Sequence, residues 1–172
     1  MLDVKMIVVD GLVFSVVGAV YLVVLLIYNP RLLMSEGDYP ADVIAAAPPP
    51  TSEETRLATI LSIPWFLWSL SFPVYSTVKY LQGGGGEIGF GWVFAHAFLI
   101  LFSFWLFDLL VLDWLMFCTI TPKFLVIPGT EGFAGYKDFG FHLRAHFGKG
   151  LPILVVSGLA VAGTAWLLAS LF

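Results

Sequence analysis

Charged side chains are scarce in this chain. Only 12% of the 172 residues are Asp, Glu, Lys or Arg, whereas a soluble domain carries about a quarter. The mean hydropathy is correspondingly high, at +0.94. The net charge of −4 comes with no basic stripe, which argues against a nucleic-acid partner. This scarcity of charge predicts an integral membrane protein with a single domain over residues 1–172.

Cysteine is almost absent too. The one cysteine, Cys118, excludes an internal disulfide and a CxxC redox pair. It lies within an apolar run, so we expect a small buried hydrophobic side chain there.

Familiar catalytic motifs are also missing. There is no Gly-x-Ser-x-Gly, no dinucleotide fingerprint and no Glu-x-x-His of a di-iron bundle. His142 is followed by Leu143, so the His-Glu-x-x-His signature of zinc peptidases is absent. The sequence therefore assigns no cofactor, and leaves open whether the protein is an enzyme.

Long apolar runs, by contrast, are plentiful. Four of them reach the roughly 20 residues that a helix needs to cross a bilayer. Backbone groups cannot stay unpaired in lipid, and the alternation of a barrel strand is absent, so we expect helices. The predicted fold is an all-α integral membrane protein, a bundle of four transmembrane helices at about 4–28, 56–80, 91–120 and 151–172.

The connections support these boundaries. Asn29 and Pro30 stop the first run, and the "TSEE" at 51–54 is a helix-capping signal. The glycine-rich stretch 82–89 is a short hairpin that makes helices two and three antiparallel neighbours. Pro152 suits the first turn of the fourth helix.

Lys and Arg are distributed unevenly between the two sides of this bundle. Lys5 and Lys79 lie on the side of the termini. The other six are Arg31, Arg56, Lys123, Lys137, Arg144 and Lys149. This bias predicts that both termini face outside and that loops one and three are cytoplasmic, as expected in an inner membrane.

Small residues form faces on two helices. Gly11, Ser15 and Gly18 share one face of the first helix, and residues 158, 162, 165 and 169 share one face of the fourth. Because close helix contacts in lipid need small residues, we predict that these faces meet each other or a second copy of the chain.

Four acidic or histidine residues fall inside the predicted spans, where such groups are costly and usually face protein or water. Asp10 and His96 lie at similar depth and are predicted to form a buried pair. Asp108 and Asp113 lie in the other half of helix three. Five residues apart in an α-helix, they point about 140° away from each other, so one helix face cannot hold both. We expect Asp113 to pair with Arg56 or Lys123, and Asp108 to meet either loop three or the serines of helix two at 62, 69 and 76.

Loop three, residues 121–150, concentrates polar chemistry. His142 and His146 are four residues apart and share one helix face, a spacing found in metal sites. With Glu131 as a third ligand they are weak metal candidates. Together with Asp108 and Asp113 they form the candidate polar site at the mouth of the bundle.

A different arrangement of loop three is also consistent with the sequence. Residues 139–147 resemble an interfacial helix, and residues 127–135 a folded lid over the helix-three aspartates. Gly129 and Gly132 flank Glu131 in a turn that resembles an anion nest. The candidate anion- or lipid-binding side chains are Lys123, Lys137 and Arg144.

Three functions follow as hypotheses. The sequence favours a small non-enzymatic membrane subunit or accessory protein, with the lipid bilayer and either a second copy or a larger membrane complex as partners. The first alternative is a binding protein or enzyme with a cytoplasmic-side site for a metal or a phosphate-bearing lipid. The second is an oligomeric transporter or channel that uses Asp108.

Overall fold

The computed structural model describes residues 1–35, 37–83 and 88–171. These residues form helices and connecting turns and contain no strand, which confirms the all-α class. The predicted hairpin at 82–89 includes 84–87, which lie outside the described residues. Four helices are long and apolar enough to cross a membrane, and are compatible with an integral membrane protein: α1 Val4–Tyr28, α3 Ser52–Gly83, α4 Phe90–Ile120 and α5 Phe139–Leu171. A short helix, α2, covers Ala41–Ala46, and 3₁₀ turns cover Pro30–Leu33 and Ala134–Lys137.

Local capping explains where the first helices begin and end. The carboxylate of Asp3 accepts from the N–H of Met6 at 2.9 Å and caps α1. Asn29 ends α1, and its side chain accepts from the N–H of Arg31. Thr51 and Glu54 form a reciprocal capping box at 2.7 and 3.2 Å, so α3 begins at Ser52 rather than at 56.

The fourth long helix differs from the prediction at its start. It begins at Phe139, where Asp138 accepts from the N–H of Phe141 at 2.9 Å, and not at Leu151. Residues His146–Gly150 are wound as a π-helix just before Pro152. Pro152 has no backbone N–H to donate, and its ring crowds the carbonyls of the preceding turn. The wider π turn makes room for that ring. The segment predicted as an interfacial helix is therefore the beginning of α5, packed on α4.

The small-residue faces are used differently from the prediction, because both pack against α4. A Cβ added at Gly11 would overlap Ser103, and one at Gly18 would lie 3.0 Å from the rings of Phe104 and Trp65. A Cβ at Gly158 would come within 3.2 Å of the Phe94 ring. Glycine at these places lets α1 and α5 approach the central helix α4 from two sides.

Loops one and three fold onto each other at one end of the bundle, which we call the loop side. Tyr39 donates its hydroxyl to the carbonyl of Leu125 at 2.9 Å, and Asp42 accepts from the N–H of Gly135 at 2.9 Å. Tyr136 accepts from the N–H of Ile127 at 2.9 Å. Cys118 is buried in this core. Residues 127–135 are thus folded, but their partner is α2 rather than the aspartates of α4.

Candidate functional site

Two aspartates of α4 meet a histidine of α5 at the loop side. His146 Nε2 lies 3.5 Å from Asp108 Oδ2, and His146 Nδ1 lies 3.4 Å from Asp113 Oδ2. One ligand atom from each of the three residues lies within 4.8 Å of the others. We call Asp108, Asp113 and His146 the loop-side cluster. Asp113 therefore pairs with histidine rather than with the predicted Arg56 or Lys123.

The two aspartates reach the same histidine because this part of α4 is not an α-helix. From Asp108 to Ile120 the chain is wound as a π-helix, in which each N–H bonds to the carbonyl five residues earlier. The N–H of Thr121 continues this pattern and donates to Met116 O at 2.8 Å. Residues five apart are therefore neighbours on successive turns. The expectation that one helix face cannot hold both Asp108 and Asp113 is wrong for this reason.

His142 supports the cluster from one turn earlier in α5. Its Nδ1 lies 3.1 Å from Asp113 Oδ1, and its side chain is 2% exposed. Because α5 is α-helical here, the spacing of four places His142 and His146 on the same face, as predicted. An aromatic ring packs on each imidazole. The ring centroids lie 4.8 Å apart for Phe117 and His142 and 5.2 Å apart for Trp105 and His146.

The hydrogen bonds of His146 define its tautomer. Nδ1 lies 3.1 Å from the backbone carbonyl oxygen of His142, which can only accept, so Nδ1 carries a proton. In a neutral imidazole, Nε2 then presents a lone pair, and it faces the carboxylate of Asp108. Two acceptors that face each other are stable only with a positive charge beside them. The site therefore calls for a cation or a second proton.

A cavity of about 590 Å³ adjoins the loop-side cluster between α1, α3 and α4. Asp108, Asp113 and His146 line one part of it. Most of the remaining wall is apolar and includes Leu22, Leu25, Leu33, Leu61, Trp65 and Met116. Among the lining residues in the described part of the chain, none is Lys or Arg.

Asp38 is a third acidic group at the cavity, and the sequence did not single it out. It stands in the turn between the 3₁₀ helix and α2, where Ser35 donates its hydroxyl to the Asp38 carboxylate. Asp38 remains exposed at the rim, yet the protein atoms around it raise the pKa of its carboxyl. The hydrogen bond from Ser35 partly offsets that rise, and the charge of Asp113 adds to it. The signal in the sequence was the acidic "GDYP" of loop one, next to the buried Tyr39.

Glu131, predicted as a metal ligand, is not part of the loop-side cluster. Its two carboxylate oxygens accept from the N–H of Gly129 at 3.2 and 3.0 Å. Gly129 and Gly132 have the positive φ values, +88° and +79°, that such a turn needs. The turn thus presents a single backbone N–H, that of Gly129, to the chain's own Glu131 rather than the successive N–H groups of an anion nest.

The candidate anion-binding cations do not converge on one site. Lys137 donates to the carbonyls of Cys118 and Thr119 at 2.8 and 3.2 Å, and so caps the carboxyl end of α4. Arg144 pairs with Asp138 at 3.2 Å on the exposed surface of α5. Lys123 is exposed in the turn after α4. The described residues therefore offer no clustered site for a phosphate group around these three side chains.

Asp10 and His96, the predicted buried pair, are joined through a serine at the opposite end of the bundle. Ser76 donates to Asp10 Oδ2 at 2.6 Å, and its oxygen lies 3.1 Å from His96 Nε2. His96 is fully buried and stacks on Tyr80 with ring centroids 4.5 Å apart. We call Asp10, Ser76 and His96 the terminus-side cluster.

Comparison with family models, with curated proteins and with solved structures gives no match for this chain. Any assignment of function therefore has to come from the chemistry of the two clusters and the cavity.

Proposed function

We propose that this chain is a membrane protein that binds a divalent transition-metal ion on Asp108, Asp113 and His146. The observation that carries the proposal is the His146 Nε2 lone pair facing the Asp108 carboxylate, in a group where one ligand atom each of Asp108, Asp113 and His146 lies within 4.8 Å of the others. A metal ion satisfies all three acceptors at once. Its site would lie between α4 and α5 at the loop side of the bundle, beside the cavity.

The donor set supports a metal of a particular kind. Two carboxylates and one imidazole suit a first-row ion such as Zn²⁺, Fe²⁺ or Mn²⁺. His146 donates its other ring N–H to a backbone carbonyl, as metal-binding histidines commonly do. His142 contacts Asp113 at 3.1 Å and would orient that ligand from behind.

Three protein ligands leave coordination positions open. Closed, four-ligand sites are typical of structural metals, whereas an open position facing a cavity is typical of metals that bind a further molecule. Since the cavity of about 590 Å³ adjoins the cluster, a ligand in the cavity could reach the metal. This favours a metal-dependent binding protein or enzyme over the non-enzymatic subunit suggested by the sequence.

The charge of the cavity argues against the phosphate-bearing lipid. Asp38, Asp108 and Asp113 line it, and the described lining residues include no cation to hold a phosphate. A continuous polar path for transport also lacks support, because the Phe14 ring packs on Phe72 and Phe104 between the two clusters, with centroid distances of 5.9 and 5.8 Å. The accessory-subunit and transporter hypotheses, the orientation of the termini and any oligomer stay predictions.

Elemental analysis tests the proposal directly. Purified protein would be incubated with Zn²⁺, Mn²⁺ or anaerobic Fe²⁺, desalted and measured for bound metal. We expect about one equivalent of one of these ions in the wild type. We expect at least a roughly tenfold loss of affinity in Asp113→Asn and His146→Gln, since removing a ligand costs no less than removing its outer-shell partner.

The control is Glu131→Gln, which removes a carboxylate that the geometry keeps out of the cluster. It should bind metal like the wild type. If the wild type holds no more metal than Asp113→Asn, a proton rather than a metal occupies the cluster, and the proposal fails. If Glu131→Gln loses metal, the ligand set is wrong.

A further inference from the structure

We propose that the cavity beside the loop-side cluster binds a single-chain lipophilic molecule with an uncharged, oxygen-bearing head group. Its head would lie against the cluster and its chain among the leucines of α1 and α3. Size supports this, because about 590 Å³ falls inside the roughly 300–1,000 Å³ typical of small-molecule sites. The wall supports it too, because Leu25, Leu61 and Met116 offer only apolar contact to a chain.

The hydroxyl groups of the wall do not compete for the head group. Tyr21 donates to the carbonyl of Leu61 at 2.5 Å, close to the point where Pro64 disturbs the hydrogen bonding of α3. Thr59 donates to the carbonyl of Thr55 at 2.9 Å, and Ser62 to that of Thr59 at 2.7 Å. Each of these hydroxyls has therefore committed its proton to a backbone carbonyl and can offer only its lone pairs. The charged groups of the wall lie at the loop-side cluster and Asp38, so the head group belongs there.

Charge selects the head group. Three carboxylates and no Lys or Arg among the described lining residues disfavour a carboxylate or phosphate head. A divalent ion in the cluster would offset two of these three negative charges, and an ammonium head has no lone pair with which to bind at the open position of that ion. A neutral alcohol or carbonyl oxygen remains, and it can occupy an open position on the metal. The choice of a neutral over a cationic head rests on the proposed function, whereas the exclusion of an anionic head does not.

Three probes of equal chain length separate these head groups: dodecanol, dodecylamine and dodecanoate. Binding to the metal-loaded, detergent-solubilised protein would be measured by native mass spectrometry over a concentration series. We expect saturable binding of one dodecanol, with dodecanoate and dodecylamine about tenfold weaker, equivalent to about 1.4 kcal/mol. Dodecanoate binding as tightly as dodecanol, or dodecylamine binding tightest, would overturn the proposal.

A matched pair of variants locates the bound chain. Leu61→Trp fills the cavity, whereas Ile60→Trp places the same ring on the outward face of α3, where Ile60 is 52% exposed. We expect about tenfold weaker dodecanol binding in Leu61→Trp and wild-type binding in Ile60→Trp. Equal binding by the two folded variants would show that dodecanol sits elsewhere and would sink the inference. The head-group comparison in the wild type decides the question even if Leu61→Trp does not fold.

Chelator-treated protein separates this inference from the proposed function. Without metal, the acidic cluster should favour dodecylamine over dodecanol, and dodecanoate should remain weakest. If chelation leaves the order unchanged and elemental analysis finds no metal, the metal proposal fails. The weak binding of dodecanoate and the effect of Leu61→Trp then still decide whether the cavity binds a lipophilic molecule.

Discussion

The two ends of the bundle use the same residue types in opposite ways. Each end places aspartate and histidine between helices, yet the terminus-side cluster is closed and the loop-side cluster opens onto a cavity. The difference is one hydroxyl group. Ser76 donates its proton to Asp10 and can accept from the N–H at His96 Nε2, so a single oxygen joins acid and base.

The loop-side cluster has no such hydroxyl. There, the imidazole of His146 faces two carboxylates directly, and its proton at Nδ1 is shared with a backbone carbonyl. Acceptors that face each other need a positive charge. A serine between aspartate and histidine therefore makes a structural contact between helices, and its absence leaves facing acceptors on which the proposed metal ion would bind.

Removing the serine hydroxyl should break the closed cluster and gives the largest expected effect on stability. In Ser76→Ala, the half-buried Asp10 and the buried His96 lose their shared partner, which we expect to cost about 1–3 kcal/mol. Thermal or denaturant unfolding in detergent would measure the loss, with metal binding unchanged. Ser71→Ala is the control, because Ser71 lies on the exposed side of the same helix and bonds only to the carbonyl of Leu67. Equal losses in the two variants would contradict the bridging role of Ser76.

The cap of α5 tests the other cluster, with a somewhat smaller expected effect. Asp138→Ala removes the acceptor for the N–H of Phe141 and should cost about 0.5–2 kcal/mol, while Asp138→Asn keeps most of the cap. Since α5 carries His142 and His146, losing the cap should also lower the affinity for metal in Asp138→Ala. Asp138→Asn, which keeps the cap, should bind metal like the wild type. A metal affinity in Asp138→Ala equal to that of Asp138→Asn would show that the cap does not position the histidines.

The Asp138 cap should also depend on pH. The backbone N–H of Phe141, together with Arg144, holds the pKa of Asp138 below its ordinary value. A lowered pKa favours the charged form in the folded state. The stabilisation that the charged Asp138 gives the fold is therefore fully present above the pKa of an unfolded aspartate, about 3.9. It is lost as the pH falls through the lower, folded value. The stability difference between wild type and Asp138→Ala should therefore narrow at acid pH in unfolding experiments.

Asp38 should give the smallest effect, because it lies at the exposed rim. Asp38→Asn removes one negative charge near the cluster and should weaken metal binding less than Asp113→Asn does. Enclosure by protein raises the pKa of Asp38, so its charge is lost as the pH falls through a value higher than that of a free aspartate. As the pH is lowered, the difference in metal affinity between wild type and Asp38→Asn should accordingly disappear before the pH reaches about 3.9, the pKa of a free aspartate. A difference that persists below that pH would show that Asp38 acts through its shape rather than its charge.

Much of the fold follows from local patterns in the chain. The four apolar runs predict four long helices, and the capping signal at 51–54 and the stop at Asn29 predict their ends well. The spacing of His142 and His146 predicts their shared face. The start of the last helix could not be predicted, because Phe139–Gly150 is polar enough to resemble a loop and becomes helical against α4.

The candidate site was only half predictable for a related reason. Asp108, Asp113, His142 and His146 were expected together, but Glu131 was wrongly grouped with them and Asp38 was missed. The Glu131 carboxylate accepts from the backbone N–H of Gly129, two residues earlier. Counting the carboxylates near the histidines in the sequence does not reveal such a local hydrogen bond. Asp38 reaches the cavity only because loops one and three fold onto each other through Tyr39 and Leu125.

By itself, then, the sequence determined the four long helices, the two histidines on one face and the presence of ionisable groups within apolar spans. Hydrophobic length and helical period are local properties, so they can be read from neighbouring residues. The tertiary structure alone decided that Asp108 and Asp113 share one side of α4, because their convergence depends on π winding opposite α5. It also decided which polar cluster is sealed and which opens onto a cavity, since that depends on whether a hydroxyl from a third helix reaches between acid and base.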